Sequence, residues 1–290
     1  MTMLFEPWKQ FQHSAVRQLA FSIASPNILS NIPPELSLQH VFDLHPNGFW
    51  QQQYENYHPR LLELDQNPQP LIDFLAQLKS TRLGLRFEYL MWFWLQDDMY
   101  HHFKLIGHSI QIIQEKQTLG ELDFLLFNTQ TQQVEHWEVA LKYYLAEANL
   151  SLPHWYGLNR TDTLQRKLNH FTQKQFQFET VQDHSIQKRF AVLKGQLYLP
   201  TIPKNILDND YLALNIPTWV NQARNIGYWG HHIPQPNYYR LQRQEWICHD
   251  AILSSPPTYW WSNGLYKSTE KEQFYMFRQA PFICLNVEQL

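Results

Sequence analysis

Two apolar runs that carry charges constrain this chain more than any other feature. Residues 119–127 and 134–145 each read as a strand, and the polar residues 128–133 between them read as a turn, so together they form a hairpin. Side chains alternate across a strand. Glu121 and Asp123 therefore share one face of the first run, and Glu138, Ala140 and Lys142 share one face of the second. If those faces coincide, three carboxylates and a lysine converge in a hydrophobic sheet. Burying such charges costs roughly several kcal/mol per ion unless they pair or bind a metal. A helix is the competing reading of 134–145, with Glu138 and Lys142 as a surface pair worth roughly a few tenths of a kcal/mol. The alternation of Trp137, Val139, Leu141 and Tyr143 with polar positions, and the lack of an N-cap, favour the strand. Within the strand, pairing of the charges only with one another is the alternative to a metal site.

The neighbouring segments frame the hairpin. Residues 82–96 form a helix with Leu85, Tyr89, Trp92 and Phe93 as its core positions, Glu88 close to that side and Arg86 on the surface. Residues 108–114 alternate as a strand and turn at 115–117, and Gly120 marks a bend or bulge. After the hairpin comes a loop with Pro153 and Gly157. A helix capped by Thr161 or Asp162 then runs to Gln177, with Leu164, Leu168 and Phe171 as its apolar stripe. Arg160, Arg166, Lys167 and Lys174, with Gln165, flank it as the best local basic patch, either a solvated face or a set of phosphate contacts. Residues 189–199 read as a strand kinked at Gly195. If it runs parallel to the hairpin's second strand, the crossover through the helix is right-handed.

The ends read differently. Near the N-terminus, Ser14 caps a helix through residue 25, residues 30–53 are irregular with Pro33, Pro34 and Pro46, and residues 71–78 are helical. Beyond residue 200, prolines break the chain into short pieces. Strands are expected at 238–249 and 274–287, among Trp219, Trp229, Trp246, Trp260 and Trp261. His231 and His232 are adjacent and point apart on a strand, which disfavours a shared metal.

Composition narrows the classes. The 44% hydrophobic and 17% charged content is globular. A net charge of −3 does not announce a nucleic-acid binder, so any such contact needs a local patch. Cys248 and Cys284 offer neither a disulfide framework nor zinc spacing, which fits free thiols in a reducing cytoplasm. No apolar run has membrane-spanning length, no signal peptide is read, and no Gly-rich phosphate loop or nucleophile elbow occurs.

The order helix, three strands, helix, strand, with an acid in one hairpin strand and a glutamate and lysine in the next, resembles the PD-(D/E)XK nuclease superfamily. More closely, the segments VRQLAFSIASPNIL, LGLRFEYLMWFWL, LGELDFLL, HWEVALKYYL and GLNRTDTLQRKLNHF resemble a bacterial domain-of-unknown-function family assigned to that superfamily. The resemblance implies an α/β (α+β mixed) fold with a restriction-endonuclease-like core at 81–200. A helical region at 1–80 packs on that core, and an aromatic-rich extension at 201–290 belongs to the same domain. It implies a metal-dependent nuclease in which Asp123, Glu138 and Lys142 are catalytic. Asp123 and Glu138 hold Mg²⁺ or Mn²⁺, Glu88 or Glu121 completes the shell, and Lys142 orients the attacking water. Lys167, Arg166, Gln165 and Arg160 then contact nucleic acid, DNA rather than RNA.

One position departs from the pattern. Ala140 stands where the superfamily has its second acid, leaving Glu138 and Lys142 about 13 Å apart on an ideal strand. A β-bulge between them, or Glu121 from the neighbouring strand, would compensate. The departure and the net charge support an alternative: a catalytically degenerate nuclease-fold protein that binds nucleic acid or a protein partner, the latter through the C-terminal aromatic region. A structural or assembly protein is a third reading.

Overall fold

The computed structural model describes residues 4–201, 214–232, 237–250, 252–259 and 261–279. Helices α1 (Ser14–Ala24), α2 (Asn47–Gln66), α3 (Gln69–Ala76) and α4 (Leu83–Gln96) precede three long strands, β1 (Phe103–Gln114), β2 (Gln117–Asn128) and β3 (Gln133–Ala146). The short β4 (Trp155–Tyr156), α5 (Leu164–Gln173) and a ribbon of β5 (Thr180–Val181) and β6 (His184–Ser185) lead into β7 (Lys188–Pro200). Then come β8 (Gly227–Gly230), β9 (Tyr238–Arg240), β10 (Gly264–Ser268) and β11 (Phe274–Phe277).

A mixed sheet runs in the order β1-β2-β3-β7-β8-β11-β10-β9, with β4 beside β3. β1, β2 and β3 are an antiparallel meander, and β7 lies parallel to β3, as the helical crossover through α5 requires. β3 alternates between two cores. Trp137, Val139, Leu141 and Tyr143 pack with α1, α2 and α4, whereas Ala140 and Tyr144 pack with Leu164, Leu168 and Phe171 of α5. The fold is thus mixed α/β, with helices on both faces of the sheet, and Glu138 and Lys142 look toward the α5 side.

Several expectations are corrected. The helix α2 occupies a region read as irregular up to residue 53. Its Trp50, Tyr54, Tyr57, Leu61 and Leu64 recur at helical spacing and are buried, but the polar Gln-rich sequence and an internal Pro59 hide the pattern. The inner face of α4 is Phe87, Leu90, Met91 and Trp94. Arg86 is half-buried and donates from Nε to Gln18 Oε1 at 2.7 Å. Helix α1 starts at Ser14 itself after His13. Beyond residue 201, β8–β11 extend the central sheet. The strand read at 238–249 stops at Arg240 and gives way to a 3₁₀ turn. Trp260, Cys284 and the part of the 274–287 strand beyond residue 279 lie outside the described residues. No helix among the described residues is long and apolar enough to cross a membrane.

Gly195 lies opposite Lys142 in the middle of the β3–β7 ladder. It has φ of 122°, a conformation essentially confined to glycine. A Cβ there would stand 1.9 Å from the Lys142 carbonyl oxygen. Gly195→Ala is therefore expected to destabilise the fold by about 3 kcal/mol or more. Gly84→Ala, whose methyl would meet nothing within 4 Å, should be neutral or stabilising by up to about 1 kcal/mol. Urea unfolding of both variants checks this, and equal midpoints would contradict it.

Candidate functional site

The hairpin register sets the site. β2 pairs with β3 as far as Phe124 opposite Trp137, while β3 continues against β7 to Leu145 opposite Tyr198. The next residues in the ladder are Asp123 and Glu138, where β2 parts from β3. The first β3 amide past the pairing, Val139 N–H, donates to Asp123 Oδ2 at 2.8 Å, so a carboxylate replaces a backbone acceptor there. Glu138 is fully buried. Its Oε1 lies 2.7 Å from His136 Nε2, two residues away on the same face, and its Oε2 accepts from the Gln175 amide. The charge of Glu138 acts on the Asp123 carboxyl.

Lys167 reaches this group from α5. Its Nζ sits 4.0 Å from the Phe171 ring centroid and donates to Gln175 Oε1 at 2.9 Å, an oxygen also 3.0 Å from His170 Nδ1. Gln175 thus bridges the lysine and the carboxylate. Burial, then the charges of Glu138 and Glu88, pushes the Asp123 carboxyl well above the usual range. Burial pushes Glu138 up to about 8 despite the favourable charge of Lys167. Lys167 is lowered by burial, against the pull of Glu138 and Asp123. His136 is pushed down to about 3 by burial and then by Arg189, so its ring is neutral. The cluster holds fewer charges than its formulas suggest, which lowers the cost of enclosing it.

The other expected site residues are spread around this centre. Glu88 accepts from Ser109 Oγ at 3.1 Å and pairs at 3.0 Å with His108, whose ring stacks on Trp92. Its charge reaches both Asp123 and Glu138. Lys142 is partly exposed and donates to Asp162 Oδ2 at 2.7 Å, close enough to Lys167 to repel it. Glu121 is exposed, opposite Gln111 on the far part of the hairpin. Arg160 pairs with Glu147 and lies over Tyr156, Arg166 donates to the Thr161 carbonyl, and Gln165 is half-buried. Thr163, not Thr161 or Asp162, caps α5, which ends at Gln173. The basic patch is accordingly divided, with Lys167 turned inward and Arg166 left outside.

Neither expected compensation for Ala140 occurs. β3 keeps one unbroken register with β7 from Glu135 to Leu145, without a bulge between Glu138 and Lys142, and Glu121 stays outside. Lys167 stands next to the carboxyl pair instead. Sequence reading missed His136, Gln175 and Asp162. His136 was visible as the same-face neighbour of Glu138. Gln175 follows the helix end, where no periodicity marks which way it points.

No group of three or more His, Cys, Asp or Glu side chains among the described residues is arranged to hold a metal. Two carboxylates suffice for Mg²⁺, which keeps waters and takes substrate phosphate oxygens as further ligands. A site of that kind at Asp123 and Glu138 would require Gln175 to yield Glu138 Oε2, while Asp123 Oδ2 already accepts from the Val139 amide.

One family model, described as Domain of unknown function (DUF1853), matches residues 17–283. Neither the curated proteins nor the solved structures compared with the chain include a match.

The buried acid makes stability depend on pH. Glu138 binds its proton more tightly folded than unfolded, so stability falls as pH rises from its ordinary 4.5 through about 8. Glu138→Gln removes this loss. In EDTA, the variant should match the wild type near the bottom of that window and become progressively more stable relative to it toward the top. Parallel pH–stability curves would contradict the assignment.

Proposed function

Because the chain belongs to the family described as Domain of unknown function (DUF1853), a description that assigns no chemistry, we propose its activity from the site: metal-dependent hydrolysis of nucleic-acid phosphodiester bonds, with DNA the preferred substrate. The observation that carries the reading is the Asp123–Glu138 carboxyl pair where β2 parts from β3, with Lys167 beside it. The element order agrees with the PD-(D/E)XK resemblance: α4, the meander β1-β2-β3, α5, then β7 parallel to β3.

Asp123 and Glu138 would hold one Mg²⁺ or Mn²⁺, which when bound supplies a water of lowered pKa and polarises the phosphate. The chain's own residues do the rest. The Val139 amide fixes one Asp123 oxygen, and His136 fixes one Glu138 oxygen, so both carboxyls are oriented before substrate arrives. Gln175 must swing away from Glu138, and this frees Lys167 from its amide bond as well. Lys167 then stabilises the negative charge that grows on the phosphoryl oxygens. Lys142, held at the rim by Asp162, and the outward Arg166 place the backbone of the nucleic acid. Glu88 adds negative charge that favours a cation at the pair.

A second reading has its own support. Both Glu138 oxygens are satisfied by protein donors, and Ala140 leaves the usual acidic position empty of charge. A nuclease-fold protein that binds nucleic acid or a protein partner without cutting would have such a self-satisfied centre.

The test is purified protein with Mg²⁺ or Mn²⁺ on single-stranded, duplex and branched DNA and RNA. Hydrolysis is expected on at least one substrate and should vanish in Asp123→Asn. Lys167→Ala should lower kcat by about 10²–10³-fold with binding retained. Arg166→Ala should weaken binding and reduce its log–log salt slope by about one unit. Binding without cutting anywhere on the panel would favour the second reading. The absence of both would remove the nucleic-acid assignment.

A further inference from the structure

A cleft of about 660 Å³ opens at the other end of β3, beside the β2–β3 turn and the start of α2. That volume is in the range that takes a small organic ligand. Its floor is aromatic. The His45 ring lies between Phe49 and Phe190, with centroids 3.9 Å from each and interplanar angles of 12° and 14°. Phe49 and Phe190 are only partly buried, so the stack is open to the cleft. The walls are carboxamides: Gln52, Asn56, Gln130 and Gln133 around the mouth, with Gln53 and Asn128 deeper.

The charges of the lining are nearly spent. Glu135 is 3% exposed, and its two oxygens accept from Asn128 Nδ2 and Trp137 Nε1, each at 2.8 Å. Lys188 is exposed. No buried cation awaits a phosphate or carboxylate among the lining residues, so the cleft suits a neutral ligand. Two deep lining residues also carry unmet polar atoms. Gln53 Oε1 and His45 Nε2 are buried without a partner, in side chains that are 6% and 8% exposed. Leaving a buried polar atom unpaired is destabilising, so two in one wall call for an explanation. Neither atom meets solvent. Rotation of the terminal amide of Gln53 would turn its carbonyl oxygen toward the cleft and a ligand there.

We propose that this cleft binds a nucleobase, free as a nucleoside or unpaired in a strand, by ring stacking on the partly exposed Phe49 or Phe190 at the end of that ring column and by pairing of its polar edge with the Gln53 carboxamide. Planarity answers the aromatic stack. Adjacent donors and acceptors on one edge answer amide side chains, which pair bidentately with base edges. Neutrality of the base answers the lining. The site is separate from the carboxyl pair, and the proposal does not depend on hydrolysis.

The test is calorimetry on the full chain in EDTA, where metal-dependent cutting cannot occur, with adenosine, guanosine, cytidine and uridine, a short single-stranded oligonucleotide, and glucose and maltose as sugar controls. Saturable binding of at least one nucleoside at millimolar concentration or below is expected. Stronger binding of the oligonucleotide than of its own nucleoside would make a strand the source, and equal binding would make the free nucleoside the source. Gln53→Leu should weaken binding about tenfold while raising the melting temperature, because it deletes the unpaired carbonyl. Gln130→Ala, at the exposed mouth, keeps the fold intact and should weaken binding a few-fold. Sugars binding in place of nucleosides, no ligand binding at all, or unchanged affinity in both variants would overturn the proposal.

Discussion

The structure around the site depends on one hydrogen bond, from the Val139 amide to the Asp123 carboxylate. At that point the antiparallel ladder ends, and an aspartate oxygen takes the place of a strand carbonyl. This single substitution lets β2 part from β3 without orphaning a β3 amide, and it leaves Glu138, still paired with Ala191 of β7, with no β2 partner on its other side. The gap is filled by side chains: His136 from the same strand, and Gln175 and Lys167 from the α5 region. A cluster of acids and bases enclosed in this way is expensive if every group is charged. The upward shifts of both carboxyls and the downward shift of Lys167 show how the cost is contained.

The proposed activity asks for a second state of this centre. With Gln175 in place, every polar atom of Glu138 is satisfied and the cluster is self-contained. Displacement of Gln175 would release a carboxylate and a lysine together, next to a second carboxylate already held by the backbone. A cation and a phosphate would supply the charges that each lacks. Proton uptake by the acids competes with cation binding, so acid conditions favour the closed form.

Much of the core was legible in the sequence because alternation and helical spacing are strong there. The meander, α4, α5 and the kink at Gly195 all leave local signals. The convergence of Asp123 with Glu138 follows from hairpin pairing alone. What followed from tertiary packing was not legible. Glu121 and Lys142 share faces with that pair on ideal strands, but β2 peels away before Glu121 can join, and Lys142 finds Asp162. Lys167 reads as part of a basic surface because its inward turn rests on the Phe171 ring and on Gln175, a residue beyond the helix end. α2 is hidden by its polar residues and Pro59, although its buried aromatics keep helical spacing. Of the four strands beyond β7, β9 and β11 begin where strands are expected from the sequence, whereas β8 and β10 are too short to announce themselves and are defined by their pairing in the sheet.

The central claim is that Asp123 and Glu138 form one interacting carboxyl pair beside Lys167, Glu138 buried and Asp123 partly exposed. ¹³C-detected NMR titration of the side-chain carboxyl carbons, with and without Mg²⁺, tests it directly. Without metal, both carboxyls should titrate well above the ordinary carboxylate range and influence one another, and Mg²⁺ should bring both titrations down. Two independent titrations in the ordinary range, unmoved by Mg²⁺, would contradict it.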